Sequence, residues 1–276
     1  MKRPVLIAAL TVLGTACAEG ASDSDGSSDE TSVPRFELVS SDAVEHGERL
    51  SHVLGCVGCH NLELTGEDWT EPEMGVLWTS NLTQSAAEYS HEELVAMITE
   101  GKRPDRALWD MPSFLFTEVH PADIDALVAY LKTLEPKGSV HPSPSVGPEL
   151  QDQIDSGEWV DAAETIIKMR REAPPDMGSE HALGRHVVRA TCIECHGMDL
   201  RGSSEPMADA PPRPDLRMVA AYSPEEFANF METGKAVGDR ELKLMSAVAR
   251  YRYSRLTERE IEAMHDYLSQ VARRDP

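Results

Sequence analysis

The sequence predicts an all-α protein of two tandem domains joined by a linker with a short helix. Two observations carry this. Stretches with apolar residues at helical spacing recur along the chain, and two open on S-x-x-E capping signals, Ser90 with Glu93 and Ser223 with Glu226. Landmarks of the first half also return in the second at a nearly constant offset: Cys56 with Cys192, Gly47 with Gly184, Tyr130 with Tyr267. An offset that holds over separate landmarks marks a repeat. A length of 276 residues suits two domains.

The elements follow in order. Lys2 and Arg3 precede an apolar run, Val5 to Leu13, too short to span a bilayer and long enough for the core of an export signal over residues 1–17. Two cleavage readings compete. Either Cys17 becomes a lipidated first residue behind Gly14-Thr15-Ala16, or Ala16-Cys17-Ala18 is an ordinary small-x-small site and Cys17 is lost. Gly14 weakens the first reading, since Leu is usual there. The acidic, Ser/Gly-rich stretch of residues 18–36 favours it, because such a composition makes a flexible tether. The expected location is the periplasmic side of a bacterial envelope, lipid-anchored through Cys17, with a soluble periplasmic form as the alternative.

The first domain spans residues 37–137, with helical patterns in AVEHGERLSHVLG, SHEELVAMITEG and ADIDALVAYLKTL. Residues 138–176 form the linker. Its first part is rich in Pro, Gly and Ser and reads as semi-rigid. Trp159, Ala162, Ala163 and Ile166 then share one helical face, ended by Pro174-Pro175. That apolar stripe is expected to pack against one or both domains. The second domain, residues 177–276, repeats the plan in HALGRHVVRA, SPEEFANFMETG and EREIEAMHDYLSQV.

With 48 acidic and 26 basic residues the net charge is −22. That excludes nucleic acid, whose phosphates need clustered Lys and Arg, and docking by charge on an anionic membrane. Membrane contact is left to an N-terminal lipid.

Cys17 aside, the cysteines form two pairs, Cys56-Val57-Gly58-Cys59-His60 and Cys192-Ile193-Glu194-Cys195-His196. Each is C-x-x-C-H, the attachment signature of a c-type haem. Two thiols add to the two vinyl groups of the porphyrin, and the following His is held under the iron. A redox C-x-x-C or half a zinc site needs no His after both pairs. Two covalently attached haems c, with their iron, are the expected cofactors.

These landmarks resemble the class I c-type cytochromes, and more closely the bacterial two-domain di-haem members, over residues 40–136 and 178–272. The resemblance implies two class I cytochrome c-like domains, in each of which an N-terminal helix crosses a C-terminal one at a small residue facing an aromatic: Gly47 against Tyr130, Gly184 against Tyr267. It also implies a Met as second axial ligand, from a loop before the last helix. In the first domain Met111, followed by Pro112, is preferred to Met74, early in the chain after His60, and to Met97, in a helical pattern. In the second, Met245 follows Met111 at close to the repeat offset and is preferred to Met198, Met207, Met218, Met231 and Met264. His91, His120 and His265 are alternative ligands. His46, His52, His141, His181 and His186 read as solvated or helix-face residues. Asn81-Leu82-Thr83 is either a polar haem edge or a plain helix cap. Trp69, Trp78 and Trp109 pack on the first porphyrin or simply fill the core. Arg201, Arg213, Arg217 and Arg250 are open as partners of haem propionates.

The functional expectation is an exported di-haem cytochrome, an electron-transfer protein and not an enzyme. It would carry single electrons between respiratory redox partners with basic docking patches, or serve as the cytochrome subunit of a dehydrogenase. A di-haem peroxidase-like enzyme with one displaceable ligand is the alternative.

Overall fold

The structure, a computed structural model, describes residues 33–203 and 212–274. Cys17 and Met207 lie outside the described residues. Helices and turns dominate, and the strands among the described residues are two-residue pairs. In chain order the elements are α1 (Ala43–Val53), α2 (Cys56–Cys59), β1 (Gly75–Val76), α3 (Leu82–Glu88), α4 (His91–Glu100), α5 (Pro121–Lys132), β2 (Ser145–Val146), α6 (Pro148–Ser156), α7 (Ala162–Met169), α8 (Ala182–Thr191), α9 (Ile193–His196), α10 (Pro224–Thr233), β3 (Lys235–Ala236), β4 (Arg240–Glu241), α11 (Leu244–Tyr251) and α12 (Glu258–Arg274).

Local chemistry sets the helix ends. Asp42 and Asn81 cap α1 and α3 by accepting backbone N–H bonds. Ser90 with Glu93 and Ser223 with Glu226 form full capping boxes on α4 and α10. Gly101 and Gly234, at φ 64° and 72°, end those two helices in the left-handed conformation that glycine adopts freely.

Each repeat is built on a crossing of its first and last helices, α1 on α5 and α8 on α12. A Cβ on Gly47 would stand 1.9 Å from the Ala126 carbonyl oxygen and 2.9 Å from Tyr130 Cβ; on Gly184, 2.0 Å from Ala263 O and 2.7 Å from Tyr267 Cβ. The helix-propensity cost of each glycine is therefore exchanged for backbone-to-backbone approach at the crossing.

The linker holds two helices rather than one. The stretch before Trp159 read as Pro/Gly-rich coil, yet Pro148 sits at the first turn of α6, where a missing N–H costs nothing. Up to α7 the linker is tied to the first repeat; its end at Pro174 and Pro175 is bonded to Arg185 and Tyr267 of the second. β2 pairs antiparallel with β1, Gly75 opposite Val146, and Gly147 N–H donates to Met74 O at 2.8 Å. α7 packs on α4, with Ala162 buried and its N–H bonded to Leu108 O at 2.9 Å.

The two repeats share one hydrophobic core, and a polar seam runs between them. Two carboxylates with no solvent exposure, Asp123 at the start of α5 and Glu260 at the start of α12, occupy equivalent places in the two repeats. Successive backbone amides of the N-terminal segment bond both: Phe36 N–H to Asp123 at 2.9 Å and Glu37 N–H to Glu260 at 2.8 Å. Arg49 of α1 crosses the seam to pair with Glu260 at 2.9 Å. Arg189 of α8 crosses the other way, donating to Leu115 O at 2.9 Å and Thr117 Oγ1 at 3.1 Å.

Candidate functional site

α1 is C-capped by Leu54, and Gly55 turns the chain at φ 86° into the single helical turn of α2. Cys56 and Cys59, at the two ends of that turn, present both thiols to one side, and His60 follows as its C-cap. The second motif is placed by α8, which runs through Thr191 into Cys192 and then α9, ending on His196. All four cysteines are free of disulfides. Burial pushes the Cys56 thiol up to about 12 and Cys59 to about 11, and raises Cys192 and Cys195 as well. None is tuned as a reactive thiolate, which sets the motifs apart from redox C-x-x-C pairs.

Both histidines are buried and held in the same way. His60 Nδ1 lies 2.7 Å from Ser80 O, and His196 Nδ1 lies 2.8 Å from Pro214 O. A carbonyl only accepts, so each Nδ1 carries the proton and each Nε2 keeps a free lone pair for a metal. Burial lowers the pKa of both rings against the opposing pull of that hydrogen bond, which keeps them neutral, the ligating form.

The loop after each His repeats in detail. Leu64 and Leu200 take positive φ, 56° and 62°, and their carbonyls accept from Leu82 and Leu216 N–H, both at 2.8 Å. Gly66 and Gly202 donate back to the carbonyls of His60 and His196 at 3.0 and 2.9 Å. Leucine is rarely left-handed, so two such residues at matching places show how tightly the loop is constrained.

In the first repeat, Cys59, His60 and Met111 line one cleft. Trp69, Trp78 and Trp109 line it too, so they serve the cleft rather than the core alone. Trp78 stacks on His141 at 4.2 Å, and Trp109 tilts against Trp159 at 4.8 Å. Met111 follows Asp110, a non-glycine residue at φ 58°. Met74 reaches the same cleft, while Met97 is buried in α4. A flat apolar ring with attachment thiols on one side and an aromatic lining fits this chemistry. Among the described residues no three His, Cys, Asp or Glu side chains converge on a metal position. Two donors per repeat suit an iron that already carries a porphyrin's four nitrogens.

Residues 204–211 follow His196 and are outside those described, so the second site is drawn from its donors alone. Met245 is half-buried against the core at the second residue of α11. Met198, Met231 and Met264 are buried, and Met218 is half-exposed. The alternative histidine ligands are engaged elsewhere. His91 pairs with Asp125 at 2.8 Å, His120 Nδ1 caps α5, and His265 Nε2 sits 2.9 Å from Tyr222 O. His46 and His186, read as solvated or helix-face residues, lie on buried helix faces at the seam. Asn81 is a buried helix cap, and its amide also donates to Lys137 O at 2.8 Å. Arg217 and Arg250 pair with Asp215 and Glu241.

Sequence reasoning missed the linker residues Leu150 and Trp159 as cleft lining, and the carbonyls of Ser80 and Pro214. Aligning the repeats on Asn81-Leu82 and Asp215-Leu216 points to the carbonyls, since each acceptor directly precedes a capping side chain.

Comparison with known families gives one result. The model of the cytochrome c family matches twice, at residues 44–135 and 181–272. No curated protein matches the chain.

Proposed function

The chain belongs to the cytochrome c family in two successive copies, and on that footing we propose that it is an exported carrier of single electrons between respiratory redox partners, with one haem c in each copy. Bound haem supplies the ferric/ferrous couple. Cys56 and Cys59, and Cys192 and Cys195, would hold it by thioether links. His60 with Met111, and His196 with Met245, would be the protein donors to the iron. With two protein donors at each iron, haem would exchange electrons rather than bind substrate, and a thioether would favour the reduced state relative to a second imidazole.

The observation that carries this reading is the cleft that brings Cys59, His60 and Met111 together, with His60 Nδ1 fixed on Ser80 O. Leu150, Trp159 and the three cleft tryptophans give it an apolar lining. The net charge of −22 steers partners with basic patches at low salt. A lipid at Cys17 would keep the carrier at the membrane face where such partners sit.

The absorption spectrum of the oxidised protein tests this. Low-spin haem with a Met-to-iron charge-transfer band is expected from both centres, with half the band lost in Met111→Ala and half in Met245→Ala. A high-spin resting haem that turns over peroxide would overturn the carrier reading in favour of a peroxidase-like enzyme.

A further inference from the structure

The side chain of Arg252, between α11 and the turn that leads to α12, lies beside the first attachment motif and, through Tyr253, is linked to the second. Its guanidinium donates to Val53 O at 3.2 and 3.3 Å, in the first repeat. It lies so close to Gly55, the residue before Cys56, that a Cβ there would stand 2.7 Å from its Cζ. The same guanidinium lies 5.7 Å from the Tyr253 ring centre. Tyr253 in turn is buried and donates its hydroxyl to Thr191 O at 3.0 Å, the residue before Cys192. Thr191 Oγ1 is 3.4 Å from Cys192 Sγ. One half-buried cation is thus held directly against the residues before the first C-x-x-C-H motif and, by way of Tyr253, next to the residue before the second.

We propose that Arg252 is a positioning residue shared by the two redox sites, whose fixed positive charge raises the reduction potential of both and ties the potential of the first site to a residue of the second repeat. The proposal rests on the haem reading of both motifs. Taking up one electron lowers the charge of a site by one, so a nearby cation favours the reduced form at each. Among the described residues, the hydrogen bonds of the Arg252 side chain run to the Val53 carbonyl, and Glu194 of the second motif lies within its electrostatic reach.

Redox titration of the full chain with Arg252→Gln and Arg252→Lys tests this. The Gln variant removes the charge and keeps a donor for Val53 O. Both midpoint potentials are expected to fall, by up to roughly tenfold in the reduction equilibrium, about 59 mV for a one-electron couple, and the Lys variant to recover most of the loss. Haem content is read first. Fewer than two haems in the unsubstituted chain would sink the haem reading itself. Two haems with unmoved potentials, movement at the second site alone, or equal shifts in Gln and Lys would sink the role of Arg252. Arg252→Met, neutral and of similar length, replaces the Gln variant should that fail to load haem.

Discussion

The two repeats agree in backbone and differ in what surrounds it. Both cross their first and last helices at a glycine, both fix the motif histidine on a carbonyl, and both hold a left-handed leucine in the loop that follows. Around the sites they part. The first cleft is lined by linker residues Leu150 and Trp159, and Met111 comes from a loop; Met245 heads a helix. At the seam, Arg49 and His186 occupy equivalent places, and only Arg49 is a permanent cation. Contacts that hold backbone to backbone leave no room for substitution, whereas seam and lining side chains are free to take different work in each copy.

The largest effect is expected from removing the attachment thiols. In Cys56→Ala/Cys59→Ala the first repeat should lose its haem, much of its helical signal, and the docking of α6, whose Leu150 lines that cleft. Cys192→Ala/Cys195→Ala should unfold less, since α6 and α7 are tied to the first repeat. Circular dichroism and melting temperature measure both, and a haem-free variant with unchanged helicity and melting point would show that the repeats fold without haem.

Next come the glycines. Alanine gains about 1 kcal/mol of helix propensity over glycine, but its Cβ would meet the Ala126 or Ala263 carbonyl at 1.9 or 2.0 Å. Backbone cannot yield as a side chain does, so the clash wins. Gly47→Ala and Gly184→Ala should each destabilise by about 3 kcal/mol, equally within error, in urea unfolding. A large inequality would show that the two crossings are not equivalent.

The glycine crossings and the C-x-x-C-H motifs were legible in the sequence because they are local patterns repeated at a fixed offset. Much else was not. α6 was hidden because a nine-residue polar helix bounded by glycines has the composition of a linker. The seam was hidden because Asp123, Glu260, Arg49 and His186 look like ordinary surface residues of amphipathic helices, and only the packing of one repeat on the other buries them. Arg252 was invisible for the same reason, since its carbonyl partner belongs to the other repeat.

The seam also separates the halves by pH. Burial, with Arg189 and His120 adding to it and Asp123 opposing, pushes His186 down to about 4. The unfolded chain takes up that proton near pH 6.5, so stability is complete above 6.5 and falls as pH drops toward 4, by about 3 kcal/mol in total. Burial alone would raise Asp123, but the bonds from His46, Phe36 N–H and Arg35 hold it below its usual value, so its loss begins only at lower pH. His186→Gln should flatten the stability profile between pH 6.5 and 4, and an unchanged slope would show that another group drives it.

The smallest effect is the most informative about the shared core. Ser90 and Ser223 cap α4 and α10 with the same reciprocal bonds: 3.2 Å to the serine hydroxyl in both, and 2.7 and 2.8 Å to the glutamate. Ser90→Ala should cost about 1 kcal/mol. Ser223→Ala should cost slightly less, because Pro224 already fixes the first helical residue of α10. If the common core makes the two repeats unfold as one, each substitution lowers the same single transition. If they unfold apart, Ser90→Ala moves one transition and leaves the other in place. Calorimetry of the two variants therefore reads the coupling between the repeats directly, since neither cap touches the seam.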